Sequence, residues 1–147
     1  MSGIIAQNTL DSSGLIKSPE GGGAWNFIKK LTASASSDLS FVDGTSDVVL
    51  DSTYKTYVFT FNNVHPSAGA VFQVNFRDGG SLYDATKTTT YFRARHYESG
   101  ASGAVGYLTD YDEAESTGVQ DLALDLGADN DQSCSGYLHL FDPGSTT

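Results

Sequence analysis

The segment Tyr54-Lys55-Thr56-Tyr57-Val58-Phe59-Thr60-Phe61-Asn62-Asn63-Val64 decides the fold class. Tyr57, Phe59 and Phe61 recur at a period of two, with Thr56, Val58 and Thr60 between them. Side chains of a strand point alternately to its two faces, so this spacing puts three aromatic rings on one face. Aromatic and β-branched residues suit a pleated, half-buried surface. The segment therefore predicts a strand with one face in a core, ended by Pro66, which cannot donate to a ladder.

The same alternation recurs along the chain. Phe72, Val74 and Phe76 repeat it, as do the long Thr- and aromatic-rich run 86–98 and the short run 104–109. Residues 120–126 place Gln120, Leu122, Leu124 and Leu126 against Asp121, Ala123 and Asp125. Residues 136–141 close the series, and shorter apolar runs at 25–32, 38–42 and 48–50 precede it. Gly- and Asp-rich turns separate these runs, among them Asp78-Gly79-Gly80-Ser81, a loop typical of a hairpin. The expected architecture is all-β: a two-sheet antiparallel sandwich, jelly-roll-like, of about eight strands.

The chain has 147 residues, the length of one ordinary domain, and can bury about 70% of its unfolded surface. No disulfide or metal staple is required, and the single Cys134 permits no intrachain disulfide. The folded domain is expected to span residues 24–147. Residues 1–23 read differently: short polar turns, five apolar anchors (Ile4, Ile5, Leu10, Leu15 and Ile16) and a terminal Gly21-Gly22-Gly23 joint. They are expected to form an extended arm that docks on a neighbouring subunit through those anchors. No secretory leader and no apolar run of membrane-spanning length are evident.

The net charge is −10, from 18 acidic and 8 basic residues. Such a surface repels phosphate backbones and anionic lipid, which argues against nucleic acid and membranes as partners. Catalysis has no motif behind it. There is no Gly-x-Ser-x-Gly elbow, and His65, His96 and His139 are scattered, so no nucleophile–base pair can be named. The chain is expected not to be an enzyme and to need no cofactor. Three acidic loops, 43–47, 110–113 and 129–131, could supply oxygens to Ca²⁺, but none follows the EF-hand pattern, and solvated turns explain them. Sugar-binding sandwiches use exposed aromatic rings, and Trp25, Tyr83, Tyr107 and Tyr111 are the candidates for glycan contact.

Three blocks carry a resemblance. Residues 51–66, the run Thr88-Thr89-Thr90-Tyr91-Phe92-Arg93-Ala94-Arg95-His96, and Gly136-Tyr137-Leu138-His139-Leu140-Phe141-Asp142-Pro143 resemble, in order, segments of structural proteins from marine tailed phages, notably those infecting cyanobacteria. In that group the chain often runs past the third block into further strands. The resemblance implies a virion structural protein on the tail (a fibre or appendage) or on the capsid surface. Its partners would then be other virion proteins and copies of itself, as a trimer. Capsid decoration, or recognition of a host-surface glycan by a fibre, are the alternatives it leaves open. It carries no catalytic or ligand-binding residues over to this chain.

Overall fold

The computed structural model describes residues 25–101 and 103–144. Among these, the regular structure is almost entirely β, with one single-turn 3-10 helix at Thr109–Tyr111. The strands are β1 (Thr56–Val64), β2 (Ala70–Val74), β3 (Phe92–Arg95), β4 (Ala104–Tyr107), β5 (Gln120–Leu126) and β6 (Cys134–Phe141). They form three two-stranded sheets: β1 with β6, β2 with β5, and β3 with β4. The last two are antiparallel.

Contacts group the chain into two units. One runs up to Lys55 and takes in the end of the chain from Phe141; the other is Thr56–Leu140. In the first unit the runs 25–32 and 38–42, expected as strands, and the short apolar run 48–50 are irregular. Local hydrogen bonds hold the turns between them. Ser36 Oγ donates to Ser34 O at 3.4 Å, and Ser37 Oγ to Asp38 Oδ2 at 3.0 Å. Asp43 Oδ1 accepts from Leu50 N at 2.8 Å, across a turn in which Gly44, Ser46 and Asp47 all have positive φ. Asp43 thus takes the Leu50 N–H that a ladder would otherwise use. Val48 is nonetheless buried, at 5% exposure. Lys55 and Asp142 close this unit with an ion pair at 2.9 Å and a backbone bond, Asp142 N to Lys55 O at 2.8 Å.

The second unit holds the sheets. Tyr57 on β1 is buried at 3% exposure, and Phe59 and Phe61 on the same face are half-buried; Thr56 and Thr60 face out. The aromatic face read from the sequence is thus the inward one. Phe61 meets Phe72 of β2 edge-on, centroids 4.9 Å apart, and this contact brings the β1–β6 and β2–β5 sheets together.

The β2–β5 register runs Ala70↔Leu126, Phe72↔Ala123, Gln73↔Asp121 and Val74↔Gln120. It slips twice, so β5 carries extra residues against a shorter partner. Asp125 takes the left-handed conformation, φ 58°, within the first slip, as a bulge requires. The loop after β2 does turn back, with Ala85 N donating to Phe76 O at 3.0 Å, but it leads to no hairpin ladder, because β2 pairs with β5 instead.

The run 86–98 is a strand only over Phe92–Arg95. Its first half is tied to the acidic loop that follows β4. Lys87 and Ser116 exchange both backbone bonds, Thr89 N donates to Glu113 O at 2.8 Å, and Glu113 N donates to Thr89 Oγ1 at 2.8 Å. Thr88 Oγ1 takes Glu115 N. Threonine hydroxyls stand in for part of a ladder here. Gln120, the buried polar residue at 9% exposure, completes the seam: its Nε2 donates to Tyr111 O at 3.2 Å, and Thr89 Oγ1 donates to its Oε1.

Candidate binding surface

The β3–β4 ribbon is amphipathic in the unusual sense. Its register sets Phe92 opposite Tyr107 and Ala94 opposite Val105. By the period-two rule these four residues share one face. All four are exposed: Phe92 at 72%, Tyr107 at 49%, Val105 at 86%, and Ala94 with them. The Phe92 and Tyr107 rings lie 5.3 Å apart, tilted by 37°. Arg93 and Arg95 alternate with them. Arg93 is half-buried and reaches Asp125 at 3.7 Å, while exposed Arg95 places its guanidinium 5.1 Å from the Tyr97 ring centroid. Apolar side chains thus face outward and an arginine faces the protein, the reverse of a solvated surface sheet.

One end of this face is pinned by Asp112. Its Oδ1 accepts from Tyr91 N at 2.6 Å, and its Oδ2 accepts from the Tyr107 hydroxyl. That hydrogen bond, then burial, then the charge of Asp112, raise the Tyr107 hydroxyl above its ordinary pKa of 10.0. Burial raises Tyr91 as well, against the opposing effect of Arg93.

The glycan candidates are not assembled into one platform by any ring contact between them. Tyr107 packs on Phe92, Tyr111 on Tyr91 at 5.5 Å, and Tyr83 beneath Arg77 at 5.7 Å. Trp25, 69% exposed, belongs to the other unit. The arm anchors Ile4, Ile5, Leu10, Leu15 and Ile16 lie outside the described residues.

Some oxygens of the acidic loops are used internally. Asp43 and Asp112 accept the backbone and hydroxyl donors given above, and Asp129 O accepts from Gln132 N at 2.8 Å and lies 2.7 Å from His65 Nε2. No group of three or more His, Cys, Asp or Glu side chains is placed to hold a metal among the described residues. His139 sits beside the Tyr137 ring, 5.5 Å between centroids. Cys134 is half-buried on the wall of an apolar cleft of about 170 Å³, with Phe61, Phe72 and Leu122, and burial pushes its thiol pKa up. Such a thiol is a weak nucleophile.

Alternation places Phe92 and Ala94 on one face of the run 86–98, but a period of two does not say that this face points outward. The available signal was the matching alternation of Val105 and Tyr107. No helix among the described residues is long and apolar enough to cross a membrane.

No protein-family model, curated protein or solved structure matches this chain. What fold and surface define is a class: an all-β protein of small antiparallel sheets that turns apolar strand faces outward.

Proposed function

We propose that the chain is a structural protein of a bacteriophage particle, a β-sandwich module carried on the tail or the capsid surface and held there through residues 1–23. The observation that carries the reading is the three-block resemblance to tailed-phage structural proteins, in order over residues 51–143. The first block contains β1 and the third contains residues 136–141 of β6, which pair with each other, so the resemblance covers most of one sheet rather than scattered loops. Exposed apolar strand residues support an assembled chain: Phe92, Val105, Tyr137 and Phe141 are all at least 70% exposed. Surfaces of this kind are costly on a free monomer and ordinary on a subunit. In the assembled particle the sheets are taken to complete a jelly-roll-like sandwich. No catalytic role is proposed.

The test is to locate the chain on purified particles by labelling and to count its copies. Hundreds of copies on the shell assign it to capsid decoration, and a handful at one vertex assign it to the tail. Particles that lack it overturn the reading. Deleting residues 1–23 is expected to abolish incorporation and leave the far-UV circular dichroism of the sheets intact.

A further inference from the structure

The apolar cleft lies wholly within the second unit, and Gly136 leaves it open. On β6 the half-buried side chains are Cys134, Leu138 and Leu140, while Ser135, Tyr137, His139 and Phe141 face out. By alternation Gly136 falls in the inward row, where it supplies no side chain. A Cβ placed there would meet no atom within 4 Å beyond its chain neighbours. The cleft of about 170 Å³ is walled by Phe61, Phe72, Leu122, Cys134 and Tyr137, and no charged residue lines it. An apolar space of this size seats one aliphatic side chain or a benzene-sized group. The edge of β6 is a second opening beside it. Among the described strands β6 pairs only with β1, so its other edge is free to take an added strand. A glycine within a strand also lets another backbone approach closely.

We infer that this cleft and edge receive residues 1–23 of a neighbouring copy, laid along β6 as a further strand with one side chain of the Ile4–Ile5 pair seated beside Gly136. The chemistry of the cleft selects this occupant. An uncharged apolar space takes an uncharged aliphatic peg, because a charge there would lose its water without a partner. Residues 1–10 contain Ile4, Ile5 and Leu10 and no charged side chain. Adjacent residues of an extended chain point to opposite faces, so one of the two isoleucines faces the cleft in either register. The segment also has the reach. It lies outside the described residues, leads into the domain through the Gly21-Gly22-Gly23 joint, and spans up to about 75 Å when extended. The outward β3–β4 face is fully open and borders the Asp112 carboxylate, so it seats a single aliphatic side chain less well. Backbone bonds along the β6 edge supply affinity, and the peg fixes the register. The inference rests on residues 1–23 being the attachment arm of the reading above and names what that arm holds.

Cys134 is the single thiol of the chain and lines the cleft, so its reaction with an aromatic disulfide reagent reports occupancy. The rate is followed on the purified full chain over a dilution series, separately from any localisation on particles. A cleft filled about nine-tenths of the time reacts about tenfold slower than an empty one. The concentrated wild type should therefore react slowly, and dilution should raise its rate to that of the chain lacking residues 1–23. For the trap, chains carrying Ile4→Cys or Ile5→Cys together with Cys134→Ser are each mixed with the wild type and oxidised. At least one mixture should give a disulfide-linked pair. Gly136→Leu in the wild-type partner fills the cleft from its own chain and should abolish that link with far-UV circular dichroism unchanged, since no atom stands in the way of the new side chain. A thiol rate that deletion of residues 1–23 leaves unchanged overturns the docking. A slow rate that ignores dilution puts the arm on its own chain and overturns the neighbouring copy as its source. A link that survives Gly136→Leu overturns the seat beside Gly136.

Discussion

Single residues carry unequal weight in this molecule. Tyr57 and Val48 are the described hydrophobic residues buried below a tenth of their surface. Truncating a large buried ring costs about 3–5 kcal/mol, from lost transfer energy and the cavity left behind. Tyr57→Ala should therefore lower the urea midpoint steeply, whereas Thr60→Ala on the opposite, exposed face should stay within about 0.5 kcal/mol. Equal effects would mean that the aromatic face of β1 is not the inward one. The inward role of Tyr57 was legible because a strand's period is an arithmetic property of its sequence. Tyr107 is different. Its hydroxyl bond to Asp112 holds the proton more tightly in the folded state, so the contribution to stability is intact below the unfolded value near 10. It is lost as pH rises through the higher folded value. Tyr107→Phe should accordingly lose less stability than the wild type as pH is raised past about 10, measured by urea titration at each pH. Tyr91, raised in the same direction, remains in both proteins and cancels from the comparison. Nothing in the order of residues announced the Tyr107–Asp112 bond, because the 3-10 turn at Thr109–Tyr111 has to form before Asp112 comes back to Tyr107.

At the scale of elements, β5 shows what periodicity conveys and what it conceals. Its bounds coincide with the alternating run 120–126. Its partner and its two register slips do not follow from that run, since they depend on fitting seven residues against the five of β2. The slip places Asp125 at φ 58°, where short polar residues and glycine are tolerated and a β-branched residue is not. Asp125→Val should destabilise by about 1–2 kcal/mol although valine is the better strand former, while Asp125→Gly should be close to neutral. The ion pair with Arg93 affects both variants equally and is weak, since Asp125 is 88% exposed. If the valine variant proves the more stable, the bulge is not where the structure puts it. The irregular runs 25–32, 38–42 and 48–50 make the converse point. They resemble strands in composition, but strand formation requires a neighbour, and at Leu50 the backbone N–H goes to the Asp43 carboxylate instead.

For the molecule as a whole, shallow burial is the governing fact. Among the described residues no side chain is fully buried, while thirteen large hydrophobic residues are exposed. A two-stranded ribbon such as β3–β4 is marginal by itself and gains stability from whatever covers its apolar face. A neighbour's arm in the cleft beside Gly136 is a second such cover, and it links association to folding by mass action. The thermal midpoint should then rise with protein concentration in the wild type and stay flat in Gly136→Leu, a difference that scanning calorimetry at several concentrations would reveal. A midpoint independent of concentration in both would mean that no neighbour supplies that cover.

The sequence by itself determined the all-β class, the positions of β1, β5 and β6, and the inward aromatic face of β1. These follow from alternation and turn chemistry within windows of a few residues. Tertiary structure alone decided which strands pair, where β5 bulges, that Thr88 and Thr89 bind the acidic loop, and that Phe92 and Val105 look outward. Each of these joins residues distant along the chain, and a period of two names two faces of a strand without saying which one has a neighbour.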